Sequence, residues 1–178
     1  MKVRTTYLEQ RSPAEIRAAA QPGESLDVVR VQLPAPEFSR FLYATVGADW
    51  HWTDRLGWSR EDWADHLARP MVETWVGWVR GTPAGYVELS GASTGDVEIA
   101  YFGLLPGFLG RGLGGHLLSV GLELAWGMAA RWDELAAVDR VWVHTCTLDG
   151  PAALGNYQAR GMVVYRTEDA EVDVSSSR

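Results

Sequence analysis

The sequence lacks several of the features that define whole protein classes. Among its 178 residues there is one cysteine, Cys146, so no internal disulfide framework can staple the chain, and a reducing cytoplasm is the expected compartment. Lys2 is the only lysine, and the other fifteen of the sixteen basic residues are arginine. Twenty-three acids outweigh those bases for a net charge of −7, which argues against a nucleic-acid-binding surface. No apolar run approaches the length of a bilayer span, and the opening MKVRTTYLEQRS has no apolar segment of the secretory kind, so no membrane partner is expected. The four histidines and the cysteine fall at no ligand spacing, and no metal is expected. Internal repeats and low-complexity blocks are absent as well. The reading is one domain over residues 1–178, with an apolar fraction of 47% sufficient for a normal core and an acidic, serine-rich tail over 168–178 expected to be disordered. What is present in excess is tryptophan: nine in all, six of them between Trp50 and Trp78.

Periodicity predicts the elements. Early strands are expected around Val3–Glu9 and Val28–Leu33, then a helix over Pro36–Val46 whose Phe38, Leu42 and Val46 share a face with Phe41 beside them. Ser59 followed by Asp62 resembles a capping box opening a helix over Arg60–Leu67. Val72–Val79, Ala84–Leu89 and Asp96 to about Leu105 read as a three-strand meander, because their connections are too short for crossovers. Leu113, Leu117, Val120, Leu124 and Met128 recur at helical steps. A strand over Arg140–Thr147, a helix over Pro151–Ala159 and a strand over Met162–Thr167 complete a mixed α/β sheet.

The most informative segment joins the third meander strand to the long helix: Leu105-Pro106-Gly107-Phe108-Leu109-Gly110-Arg111-Gly112-Leu113-Gly114-Gly115. Glycines there let the backbone approach a ligand, and unpaired N–H groups at a helix start favour an anion. Arg111 can add a charge-assisted contact to phosphate. The same glycines would also serve a turn that merely packs a helix close to a sheet. No Gly-Lys-Ser/Thr follows, which excludes a Walker loop, and the late position after a meander disfavours a dinucleotide fingerprint.

Glu98 through Gly115 resembles the acyl-CoA-binding motif of the GNAT N-acetyltransferase superfamily. Its Gln/Arg-x-x-Gly-x-Gly/Ala signature falls on Leu109-Gly110-Arg111-Gly112-Leu113-Gly114; both glycines match, and Leu109 replaces the usual polar residue. Leu148 to Met162 is similar to the superfamily's later motif: Pro151, Ala153, Tyr157 and Gly161 align, while Gly150 stands for Asn and Met162 for Phe. The resemblance implies a mostly antiparallel central sheet flanked by helices, with a splayed strand at the acyl-CoA site, and transfer of acetyl from acetyl-CoA to an amine. It implies that Gly103, Leu104 and Leu105 offer backbone N–H groups to the pantetheine and the thioester carbonyl. It further implies that Leu109, Gly110, Arg111, Gly112, Leu113, Gly114 and Gly115 hold the pyrophosphate, with Asn156 nearby. The chain after the last motif is short for the superfamily's final strand pair, so sheet completion falls to the N-terminal strand or to a partner subunit of a homodimer.

The same resemblance makes Tyr157 the candidate general acid for the leaving thiolate, and makes Glu98, eleven residues before Leu109, the candidate base. His144 is a competing base read from the residues themselves. Alternation puts it with Trp142 and Cys146 on one face of its strand, and an imidazole titrates near neutrality. Each has a purely structural alternative: a helix tyrosine packed on the sheet, an outward-facing glutamate, a core histidine. Cys146 has no activating partner in the sequence and reads as a small hydrophobe.

Between Asp49 and Trp63, four tryptophans are interleaved with four acids and two arginines. Aromatic faces hold rings or cations, and acids attract ammonium groups. Trp50, Trp52, Trp58 and Trp75 are therefore the candidate acceptor residues, for a small amine or amino acid with an aromatic or bulky apolar part. Equally, the tryptophans can be core and the acids a solvated face. Acetylation of a protein or peptide, a non-catalytic acyl-CoA sensor, and aminoglycoside modification are the alternatives.

Overall fold

A computed structural model describes residues 1–171. Seven strands form one sheet: β1 (Lys2–Gln10), β2 (Asp27–Arg30), β3 (Val72–Val79), β4 (Thr82–Gly91), β5 (Asp96–Leu104), β6 (Arg140–Cys146) and β7 (Val163–Glu171). Their spatial order is β2-β3-β4-β5-β6-β1-β7. Every neighbouring pair is antiparallel except β5 and β6, which are joined by a helical crossover. Helices α1 (Pro36–Gly47) and α2 (Arg60–Leu67) cover one face, and α3 (Leu113–Trp126) and α4 (Ala153–Ala159) lie on the other.

Local sequence explains most of these boundaries. Ser59 and Asp62 cap α2 reciprocally, with Ser59 N–H donating to Asp62 Oδ2 at 2.8 Å and Asp62 N–H to Ser59 Oγ at 3.1 Å. Proline at the first position starts α1, where Leu42 and Val46 are buried as their spacing requires. Phe41 departs from the expected face: it is 44% exposed and stacks on Phe38 instead. In α3 the buried stripe is centred on Leu113, Leu117, Leu118, Leu122 and Ala125, so Val120 and Leu124 lie at its margin. Gly121 there lets Val87 pack against the helix backbone.

The sheet is completed by the N-terminal strand. β1 inserts between β6 and β7 and pairs antiparallel with both. The chain must then cross to the opposite edge of the sheet to form β2. Residues 16–26 make that crossing over α3, where Ala19 N–H donates to Ser119 Oγ at 2.8 Å. The expectation of a disordered tail from residue 168 is corrected in part, because β7 runs through Glu171. The reason is complementary charge across the strand pair: Asp169 takes Arg4 at 2.8 Å and Lys2 at 3.0 Å, and Tyr7 Oη donates to Glu168 at 2.8 Å. Residues 172–178 of that expected tail lie outside the described residues.

β5 and β6 pair over only three residues each, Asp96–Glu98 with Arg140–Trp142, and separate beyond them. The split leaves one edge of β5 unpaired toward its C-terminal end and opens the sheet where β5 hands over to α3. No helix among the described residues is long and apolar enough to cross a membrane.

Candidate active site

A cleft of about 910 Å³ fills this split and continues over the α1–α2 face. Three segments build it: β5 with the first turn of α3, β6 with the start of α4, and the loop between α1 and α2.

At one end the cleft is made mainly of backbone. Gly110 (φ 73°) and Gly112 (φ 75°) adopt left-handed conformations that a β-carbon would strain, and Gly112 occupies the position before α3 without a side-chain cap. The first-turn N–H groups of α3 are thus free for an anion, and Gly114 and Gly115 line the cleft there with Leu109, Gly110 and Asn156. Leu113 contributes no side chain to this surface, being fully buried in the core.

Three of the expected donor contacts are corrected. Arg111 does not line the cleft: its guanidinium pairs with Glu24 at 2.6 Å and lies over the Phe108 ring at 5.0 Å. Leu105 N–H is already given to the Ala84 carbonyl at 2.8 Å. Alternation along β5 then turns the N–H groups of Leu104 and Phe102 toward the open edge, with Gly103 facing β4. Phe102 was not among the sequence candidates, because facing direction on a short apolar strand is set by register.

Midway along the cleft stand the three titratable candidates. Tyr157 on α4 is 5% exposed, and its ring meets Phe102 edge-on at 6.1 Å. Burial, with the Asp149 carboxylate adding to it, pushes its phenol well above the ordinary value, so it remains a proton donor. Glu98 and His144 face each other across the point where β5 and β6 part, with His144 Nδ1 3.5 Å from Glu98 Oε1. That carboxylate raises the imidazole above its usual value against the opposing effect of burial. The two competing bases therefore form one pair. Burial raises the Cys146 thiol, which keeps it protonated and a poor nucleophile. Asp149, absent from the sequence reading, also lines the cleft and accepts from Thr145 Oγ1 at 2.6 Å and Cys146 N–H at 2.8 Å.

The other end is walled by side chains. Trp50 and Trp52 both line it, together with Asp54, Arg55 and Tyr101. Trp52 packs edge-on to Tyr101 at 4.8 Å, and the Trp50 ring reaches across to Gly150, where a β-carbon would touch it at 3.5 Å. Trp58 and Trp75 do not reach the cleft, which corrects two acceptor candidates. Trp58 lies against the Arg55 guanidinium at 4.7 Å and meets Trp63 edge-on at 5.0 Å. Trp75 projects from β3 to the α3 face, where its Nε1 donates to Glu73 at 2.8 Å.

Arg55 brings a positive group to the wall but little net charge. Its Nη1 and Nη2 each lie 2.9 Å from an oxygen of Glu88, which is 2% exposed and also meets His66 Nε2 at 3.0 Å. Burial alone would push the Glu88 carboxyl up; the His66 and Arg55 contacts outweigh that and hold it below its ordinary value. The lining carboxylates Asp54, Glu98 and Asp149 therefore leave the cleft negative on the side away from α3.

The sequence matches the acetyltransferase (GNAT) family over residues 36–162, well over half of the chain. No curated protein matches it significantly. Solved structures share the fold: a GCN5-related N-acetyltransferase from Kribbella flavida (18% identity, TM-score 0.63, covering 92% of this chain and 55% of that one). A second, from Sphaerobacter thermophilus, gives 14% identity and a TM-score of 0.67, with 93% and 49% coverage. A functionally unknown conserved protein from Staphylococcus epidermidis gives 15%, 0.61, 95% and 60%. This chain thus spans about half to three fifths of their length. At these identities the likeness is one of fold, and with the family match over the cleft-building residues it leads to one statement: the chain belongs to the GNAT family of acetyltransferases.

Proposed function

We propose that this protein transfers the acetyl group of acetyl-CoA to the primary amine of a small molecule carrying an aromatic or bulky apolar part. The observation that carries the reading is the polarity of the cleft, with an uncapped, glycine-lined helix start at one end and an aromatic, acidic wall at the other.

The residues present fit the donor. An uncapped helix start lined by glycine suits a pyrophosphate, and the unpaired edge of β5 suits a pantetheine arm. When bound, acetyl-CoA supplies an activated acyl group as a thioester. Leu104 N–H orients and polarises a carbonyl laid along that edge. His144 takes the ammonium proton, and the Glu98 carboxylate beside Nδ1 holds the imidazole and steadies its positive form. Tyr157 keeps a proton at Oη for the departing sulfur. Trp50, Trp52 and Tyr101 hold the acceptor's apolar part while Asp54 attracts its charge. Bringing the two substrates together in one cleft supplies much of the rate.

A peptide acceptor would use the same donor end. The Trp50 ring against Gly150 narrows the cleft where an extended peptide would pass, which supports the small-molecule reading. The test is thiol release from acetyl-CoA across aromatic amines, amino acids, aminoglycosides and peptides. Turnover is expected with bulky apolar amines; faster release with peptides would overturn the acceptor class, and donor binding with no release for any acceptor would favour a sensor.

A further inference from the structure

The glycine loop's own arginine is occupied by Glu24, yet a second arginine reaches the same helix start from elsewhere. Arg160 follows α4, and its backbone is clamped from both sides: its carbonyl accepts from Arg17 N–H and from Gln10 Nε2, each at 3.0 Å. Gly161 comes next at φ 93°, where a β-carbon would strike the Glu15 carbonyl. This fixed turn sends the Arg160 side chain across α4 to the first turn of α3. A β-carbon on Gly115 would sit 2.5 Å from its Nη1, so the glycine makes room for the guanidinium, and Ala19 closes the other side. Arg160 Nε is buried without a hydrogen-bond partner, and the guanidinium makes no ion pair among the described residues. Arg160 as a whole is only partly buried, and its Nη1 lies against Gly115, which lines the cleft, so the unpaired guanidinium donors are placed for an acceptor at that helix start.

We propose that Arg160 is a side-chain ligand for a phosphate of the acyl donor. The inference rests on the donor reading above. A planar guanidinium matches phosphate oxygens better than an ammonium does, and backbone N–H groups supply only partial charge. A chain of net charge −7 has a particular need of a free cation where a polyanion binds.

The test compares equilibrium binding of CoA, dephospho-CoA, pantetheine and inorganic pyrophosphate to the unaltered protein, Arg160→Met and Arg160→Lys. Arg160→Met is expected to weaken CoA roughly 10- to 100-fold while leaving pantetheine, which has no charged phosphate, unchanged. Arg160→Lys is expected to recover part of the loss. An equal loss with dephospho-CoA assigns the contact to the pyrophosphate, and a loss confined to CoA assigns it to the 3′-phosphate. Unchanged CoA affinity, or an equal loss of pantetheine, overturns the proposal. If the unaltered protein binds neither CoA nor pantetheine, the donor reading fails by itself. Pyrophosphate then decides for Arg160: binding that Arg160→Met removes sustains the anion site, and no binding overturns it.

Discussion

The two ends of the cleft are built on different physical principles. The α3 end uses main-chain N–H groups and backbone conformations that glycine alone adopts comfortably, so its chemistry is written in a short contiguous stretch. The aromatic end uses side chains from the α1–α2 loop, β5 and the β6–α4 loop, and each is aimed by its neighbours. Trp50 and Trp58 illustrate the difference: eight residues apart in one loop, one faces the cleft and the other lies against a buried ion pair. A backbone site tolerates change in its side chains; a side-chain site depends on whatever orients them.

The largest expected effect falls between the two ends. His144→Gln should lower kcat by roughly 10²- to 10⁴-fold with little change in donor affinity. In Glu98→Gln the acidic limb of the pH–rate profile should move to lower pH, because the carboxylate that raises His144 is gone. Disappearance of that limb in Glu98→Gln would instead make Glu98 itself the base.

Beneath the aromatic wall, Glu88→Ala should cost about 3–5 kcal/mol in denaturant unfolding, since it strands a buried arginine. Glu88 is held below its ordinary value, so its contribution is complete above the carboxylate range and is lost as pH falls through its folded value. The unaltered protein should therefore lose stability in acid more steeply than Glu88→Gln, itself less stable at neutral pH. Parallel acid profiles would separate the ion pair from the wall it supports.

Gly112→Val sharpens the comparison at the backbone end. A β-branched residue at φ 75° adds roughly 1–2 kcal/mol of strain at the turn that positions the proposed anion site, so CoA affinity should fall about tenfold or more in calorimetry while acceptor KM holds. Trp52→Ala should do the reverse, raising acceptor KM several-fold and leaving CoA affinity intact. A common loss in both variants would mean that the two ends are not independent.

The smallest effect separates cleft tryptophans from structural ones. Trp75→Phe should leave both substrates' binding unchanged and cost about 1–3 kcal/mol by removing one donor from the buried Glu73 carboxylate. A change in acceptor KM would return Trp75 to the site.

How far the fold was legible follows from how local its causes are. The capping box at Ser59 and Asp62, the short meander turns and the glycine start of α3 each act within a few residues, and those elements lie where their sequences put them. Strand β7 ran past its expected end because its acidic residues are answered by Arg4 and Lys2, more than 160 positions away. The same distance effect hid Arg160, an unremarkable position in its motif until the crossing segment and Gly115 set its direction. It also misplaced Arg111, whose partner Glu24 arrives on that crossing segment.

By itself, the sequence determined the mixed α/β sheet and the glycine-rich helix start and put forward Tyr157, Glu98 and His144 as candidates, because periodicity, glycine and motif spacing are properties of neighbouring residues. Only the tertiary structure decided that Glu98 and His144 are one pair, that two of the four candidate tryptophans face the cleft, and that the N-terminal strand closes the sheet. Those outcomes depend on register and on which distant segment packs against which. Both are settled by burial and charge pairing across the whole chain, and no local pattern encodes them.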